Sequence, residues 1–152
     1  MAANIDEELG QRLQEEHKAL LQLSQMLKAH IASAPSSDPA RWLDGLRVAF
    51  DRLHAHIARC IAMKEHDGYL GTILREAPAL ARQVEAIRAE HGQLLRLGAG
   101  VRTDLATVRP ADRLVIDDLC ARVERLLAVI TQHEQRENMI VLFALNQDLG
   151  SF

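Results

Sequence analysis

Aromatic residues are scarce in this 152-residue chain, at 3% of the sequence, although hydrophobic residues make up 48%. A core without large rings must be built from Leu, Ile, Val and Ala side chains, and that mixture favours helices. The length is sufficient for one domain with a real core and too short for two comfortable ones. The composition therefore predicts a helical protein with a single domain over residues 1–152.

The chain also lacks an excess of either charge, a long apolar run and a secretory signal pattern. Its net charge is −3, with both signs interspersed, which argues against a nucleic-acid surface or an anionic-membrane surface. The longest apolar runs, such as Leu126–Ile130, are far too short to span a bilayer. These features predict a cytoplasmic protein with no nucleic-acid or membrane partner. No feature of the sequence identifies a protein partner.

Cysteine is equally scarce, and several catalytic motifs are missing. Cys60 and Cys120 lie in separate predicted helices, which suits a reducing compartment better than a disulfide framework. The sequence contains no glycine-rich phosphate loop, no nucleophile elbow and no Cys-x-x-Cys-His pattern. Nothing therefore indicates phosphate chemistry, covalent haem or a nucleophilic enzyme.

Histidine, in contrast, is abundant, with seven residues, and one phrase of the sequence occurs twice. Glu16–Leu23 returns as Glu90–Leu97 with five of eight positions identical, and each copy holds a histidine within a leucine stripe. A second correspondence aligns the segment around Cys60 with the segment around His133. The repetition indicates a duplicated pair of helices with a polar position in each helix.

Apolar residues recur every three or four positions in four segments, which is the period of amphipathic helices. Short proline-containing breaks separate the segments. The pattern predicts an all-α protein, an up-down-up-down antiparallel four-helix bundle, with His17 on the buried face of the first helix. His91 of the third helix and the pair His133 and Glu137 of the fourth are predicted to face the same axis. The last two are four positions apart and therefore stack on one helical face.

Three imidazoles and one carboxylate in a dry interior are costly unless a partner satisfies them. A divalent metal does so, and this donor set suits iron and also zinc or manganese. Any single histidine could instead be a core residue paired to a neighbour. The ordered set of four favours a site of metal-binding ancestry.

The ordered set resembles the hemerythrin-like (HHE) cation-binding domains over essentially the whole chain. The resemblance is carried by Glu16-His17, Glu90-His91 and His133–Asn138, and by Asp67–Leu70 and Asn146–Gly150, which are similar to helix tails in one bacterial branch. It implies a four-helix bundle that holds a non-haem, usually di-iron, centre. By the same resemblance, His17, His91, His133 and Glu137 would be iron ligands.

The second helix departs from the family's His-x3-Glu pattern. By the internal repeat, Cys60 aligns with His133 and Lys64 with Glu137, so both usual ligands are lost. A cysteine thiolate can bind iron, whereas a lysine ammonium is normally a competitor of a metal. His56, one turn before Cys60, is the other candidate ligand, and the sequence leaves open whether His56, Cys60 or neither serves. Lys64 either reaches solvent or takes the vacated metal position and pairs with Glu137.

Two functions follow as hypotheses. The first is a protein that binds or senses O2, NO or peroxide at a mono- or dinuclear non-haem iron centre, or at zinc, with the second ion weakened. The second is a metal-free structural or interaction bundle in which Lys64 replaces the cation. A redox enzyme of peroxidase or NO-reducing type would share the iron, but a binding or sensing role is favoured over an enzyme.

Overall fold

The computed structural model describes the backbone of residues 2–33, 37–66 and 69–150, and the side chains of residues 8, 11–33, 37–66, 70–141, 143 and 144. The helices are α1 (Ala2–Ala32), α2 (Pro39–His66), the short α3 (Tyr69–Glu76), α4 (Ala81–Thr107) and α5 (Arg113–Gly150), with a 3-10 turn at Pro78–Leu80. The four long helices form an antiparallel bundle, and the described residues include no strand. The predicted all-α four-helix bundle is confirmed.

Two details of the resemblance lie outside the described residues. These are Asp67 and Gly68 after α2, and the side chains of Asn146–Gly150 at the end of α5. Within the described ranges, no helix is long and apolar enough to cross a membrane.

The apolar core has two parts, separated by a polar layer that consists of Lys64, His91, His133 and Glu137. The larger cluster runs through α1, α2, α4 and α5, and the smaller one gathers α3, the 3-10 turn, the start of α4 and the end of α5. Along the chain, each residue of the layer lies between buried apolar residues. Lys64 lies between Ile61 and Leu70, His91 lies between Ile87 and Leu94, and His133 and Glu137 lie between Ile130 and Ala144. The polar residues therefore lie inside the bundle, between two regions of hydrophobic packing.

The helices do not pack equally. α1 lies along α2, α4 lies along both α2 and α5, and α1 meets α5 at few points. The side of α1 that faces α5 is consequently more open to solvent than the corresponding side of α4. This asymmetry decides how deeply each histidine of the repeated phrase is buried.

His30 and Trp42 fix the connection between α1 and α2. The His30 ring donates from Nε2 to the Trp42 carbonyl oxygen at 2.7 Å, and Trp42 Nε1 donates to the carbonyl oxygens of His30 and Ser33 at 3.1 and 2.6 Å. The two rings stack with centroids 5.2 Å apart. These reciprocal hydrogen bonds hold the His30 ring against Trp42.

Gly98 lets α2 approach α4 closely. The His54 imidazole occupies the space beside it, so that a Cβ added to Gly98 would lie 2.4 Å from His54 Nδ1. The His54 ring also stacks on Phe50, with centroids 6.1 Å apart. His54 is therefore part of the packing between α2 and α4.

Gly98→Ala is expected to lower the free energy of unfolding by about 1–2 kcal/mol, because the new methyl group forces the His54 ring out of its place. Gly100→Ala in the same helix is the matched control, since its Cβ would have only Arg122 Nη2 nearby, at 3.9 Å. That substitution should raise the free energy by up to ~1 kcal/mol through helix propensity. Urea denaturation checks both, and equal stabilisation by the two alanines would contradict the packing role of His54.

Candidate metal centre

His91 of α4 and His133 and Glu137 of α5 lie together in the polar layer, with exposed fractions of 1%, 4% and 2%. His133 Nε2 is 3.3 Å from Glu137 Oε2, and His91 Nε2 is 3.8 Å from Glu137 Oε1. One donor atom from each residue can be chosen so that all three lie within 4.8 Å of one another. The predicted convergence of these three side chains is present.

Two further carboxylates orient the two imidazoles. His91 Nδ1 donates to Glu65 Oε1 at 3.1 Å, and His133 Nδ1 donates to Glu90 Oε2 at 2.5 Å. Arg136 Nη2 holds the other oxygen of Glu90 at 2.7 Å. In the neutral tautomer with the proton on Nδ1, each Nε2 has a free lone pair that faces Glu137, whereas in the protonated ring Nε2 carries a proton that it can donate to this carboxylate. Carboxylates hydrogen-bonded to the outer nitrogen are the usual support of metal-binding histidines.

Three buried atoms in this group have no hydrogen-bond partner among the described residues: His91 Nε2, His133 Nε2 and Glu137 Oε1. The 3.3 Å contact between His133 Nε2 and Glu137 is thus close but not aligned for a hydrogen bond. When both imidazoles are neutral with their protons on Nδ1, all three atoms are acceptors, and three acceptors facing one another without a donor are costly in a dry interior. A cation among them removes that cost, so the donor set fits one metal ion.

Lys64 of α2 provides a charge for the remaining oxygen of Glu137. Its Nζ lies 2.9 Å from Glu137 Oε2, and the two side chains are only 12% and 3% exposed. Of the two alternatives for Lys64, the side chain that reaches solvent and the pairing with Glu137, the structure shows the pairing.

The surroundings of Glu137 keep it ionised. Burial by itself raises the pKa of this carboxyl group, but the imidazoles of His133 and His91 and the ammonium of Lys64 outweigh burial and bring the pKa well below its usual value. For His133, burial acts to lower the pKa, whereas Glu137 and Glu90 raise it by more, so the pKa is raised overall. Glu137 thus stays ionised beside the Lys64 ammonium.

His17 does not join this group. Its side chain is 45% exposed, and Nδ1 donates to Glu134 Oε2 at 2.8 Å. The expectation that His17 lies on the buried face of α1 is wrong. At about 100° per residue, Glu16 and His17 lie equally far on either side of the line through Leu13 and Leu20. His17 is on the side toward α5, where α1 has few contacts, and is therefore exposed.

His56 and Cys60 of α2 form a second group, with Glu16 of α1 as its third member. His56 is buried and Cys60 is half-buried, and both are oriented toward α1. In the described part of the chain, they are grouped with Glu16, and not with His91, His133 and Glu137, as potential ligands whose donor atoms lie within 4.8 Å of one another.

The profile of the hemerythrin HHE cation-binding domain matches residues 8–145. The chain belongs to the hemerythrin HHE family. No match is found among curated proteins or among solved structures. Family membership and the two ligand groups agree on a cation-binding hemerythrin domain.

Sequence reasoning missed the carboxylates that support this hemerythrin centre, although one signal for them was present. Glu16 and Glu90 precede the histidine in both copies of the repeated phrase. Each carboxylate contacts the equivalent position of the following long helix: Glu16 contacts Cys60, and Glu90 contacts His133. The repeated Glu-His pair therefore encodes a contact between helices as well as a candidate ligand. Glu65 had no comparable signal.

Proposed function

We propose that this hemerythrin domain binds one non-haem iron ion through His91, His133 and Glu137 and uses it to bind or sense a small ligand such as O2 or NO. The observation that carries the proposal is the set of three buried polar atoms that face one another and have no hydrogen-bond partner among the described residues. Two imidazoles and one carboxylate suit Fe²⁺, and also Zn²⁺, at this position. The lower number of ligands compared with the usual family pattern favours one ion over two.

Lys64 accounts for the reduced number of ions. A second ion bridged by Glu137 would have to displace an ammonium that already lies 2.9 Å from its Oε2 atom. Like charges at such a distance in a buried place repel strongly. The remaining oxygen, Oε1, is free of hydrogen bonds and available for the first ion.

The residues around the centre prepare it for a diatomic ligand. Glu65 and Glu90 hold both imidazoles in the tautomer that presents Nε2. Buried apolar side chains one turn away, among them Ile87, Leu94 and Ile130, exclude water from the layer. When bound, iron would supply an open coordination position for O2 or NO.

Metal content per chain, measured on protein purified without an affinity tag after iron-replete expression, tests the proposal. We expect close to one iron per chain. Glu137→Gln should abolish binding, because it replaces the charged ligand by an amide. Glu134→Gln is the matched control: it changes a carboxylate one residue from His133 that contacts His17 instead, and it should retain the iron. Full iron content in Glu137→Gln would overturn the assignment.

His17 is kept as a predicted ligand by resemblance, although it contacts Glu134. His17→Asn decides this point in the same assay. Retention of iron is expected from the present geometry, whereas loss of iron would mean that His17 turns inward when the ion binds.

The ion pair between Lys64 and Glu137 favours one other function, that of a metal-free interaction bundle. In that case Lys64 would supply the only cation that the layer needs. The purified protein would contain no metal, its melting temperature would not respond to Fe²⁺ or Zn²⁺, and it would not bind NO.

A further inference from the structure

A cavity of about 400 Å³ lies at the end of the bundle opposite to α3. Its walls come from the end of α1, the start of α2 and the start of α5, among them Ile31, Trp42, Ile116 and Cys120. Because α1 meets α5 at few points, a gap remains between the two helices at this end. Sites for small molecules in proteins typically have volumes of about 300–1,000 Å³, so the gap is large enough for one.

The walls of this cavity are largely apolar. Ile31, Trp42 and Cys120 pack against the main core cluster but are only partly buried, whereas Ile116 is buried. Two hydrogen bonds from Trp42 Nε1 to carbonyl oxygens at the end of α1 hold the indole in place. A fixed apolar wall of this kind suits an apolar body such as a phenyl ring.

Three charged side chains of α5 line the same cavity, namely Arg113, Asp117 and Glu124. Asp117 and Glu124 are seven positions apart and share one face of the helix, with Cys120 between them. Burial and these two carboxylates raise the pKa of the Cys120 thiol, because both lie near its sulfur. None of the three charged side chains forms an ion pair within the described part of the chain. Two carboxylates against one guanidinium give the cavity a net negative charge.

We propose that this cavity binds a small organic amine, with its apolar body against Trp42 and Ile116 and its ammonium group at Asp117 and Glu124. The ammonium supplies the positive charge that these two carboxylates do not find within the chain. The Trp42 indole adds attraction for a cation. A neutral molecule of the same shape loses the charge interaction, and a carboxylic acid meets two like charges.

The cavity is far from the candidate metal centre. Cys120 and His133 both lie on the continuous helix α5, and their separation along it corresponds to about 20 Å at ~1.5 Å per residue. Amine binding therefore requires no metal ion at the centre and leaves the iron content unchanged.

Trp42 fluorescence tests the proposal, because Trp42 is the only tryptophan of the chain and lines the cavity. The full chain is titrated with three probes that share a phenyl ring: 2-phenylethylamine, 2-phenylethanol and 3-phenylpropionate. We expect a saturable change with the amine, at an affinity about fivefold higher than for the alcohol, as is typical of an exposed charge interaction. The carboxylate should bind more weakly than the alcohol.

Asp117→Asn combined with Glu124→Gln should abolish this preference, so that the amine and the alcohol bind with equal affinity. Asp118→Asn is the matched control, because Asp118 is an exposed carboxylate of the same helix that is not among the lining residues; it should keep the preference. Ala121→Phe places a ring in the cavity and should weaken binding of the amine by about tenfold, with far-ultraviolet circular dichroism as the check on folding.

Each alternative occupant gives a different result in this assay. A Trp42 signal that does not saturate with the amine would overturn the proposal, as would equal affinity of the wild-type protein for the amine and the alcohol. Tighter binding of 3-phenylpropionate would assign the cavity to an anion held by Arg113 and would overturn it as well. A preference that survives in the double variant would show that Asp117 and Glu124 do not hold the ammonium group.

Discussion

Lys64→Met should destabilise the metal-free protein by about 3–5 kcal/mol, the usual result when one partner of a buried ion pair is removed. The Glu137 carboxylate, 3% exposed, would lose the ammonium at 2.9 Å and keep only imidazoles near it. Urea denaturation of chelator-treated protein measures the loss. Added Fe²⁺ should restore stability in the variant by more than it stabilises the wild type, because a bound ion replaces the missing charge.

Lys28→Met is the matched control, since Lys28 is exposed on α1. A surface change of this kind should stay within about 0.5 kcal/mol of the wild type. Equal effects of the two substitutions would show that the ion pair contributes nothing to stability. A large loss at Lys64 without recovery on adding iron or zinc would favour the metal-free bundle over the iron protein.

Cys60→His combined with Lys64→Glu should raise the iron content from about one to about two ions per chain. The double change rebuilds in α2 the His-x3-Glu pair that α5 carries at His133 and Glu137. Without metal, the new glutamate would face Glu137 as a like charge in a buried layer, so the metal-free variant should be far less stable than the wild type. Elemental analysis and chelator-dependent melting measure both effects.

The single variants separate the two contributions to this gain. Cys60→His alone retains the Lys64 ammonium beside Glu137 and should not gain a second ion. Lys64→Glu alone removes the ammonium and adds a carboxylate, and should gain the ion weakly. If the double variant holds one ion or none, α2 cannot supply the missing ligands, and the loss of the second iron has another cause than these two residues.

Part of the centre could be predicted from the sequence, namely the residues on a helix that packs against two neighbours. α4 contacts both α2 and α5, so the apolar stripe through Ile87, His91 and Leu94 is buried in the structure as its period indicates. The repeat aligned Lys64 with Glu137 and left two alternatives open, a lysine that reaches solvent and one that pairs with Glu137, of which the structure has the second.

The burial of residues on α1 could not be predicted in the same way, because α1 has few contacts with α5. His17 and His91 occupy equivalent places in the repeated phrase, yet one is 45% exposed and the other 1%. The difference arises from the partner helices and not from the phrase itself, since α1 meets α5 at few points. The sequence pattern of one helix does not show how closely a neighbouring helix packs against it.

The glycines of α4 give a second example of packing that the sequence does not show. Gly92, Gly98 and Gly100 give this helix poor intrinsic propensity, but it is continuous from Ala81 to Thr107. Gly98 is retained inside the helix because the His54 ring lies against it. Packing between helices, which propensity does not include, outweighs the local cost.

The division of the core by the polar layer has a consequence for local opening. The smaller apolar cluster, at the α3 end of the bundle, is separated from the larger one by the polar layer. The ion pair between Lys64 and Glu137 holds the helices together at this layer. Water entering that layer would part the two clusters without unfolding the larger one. Amide hydrogen exchange in α3 and at the start of α4 should therefore slow when the centre takes up an ion, while exchange near Leu53 and Val123 stays unchanged.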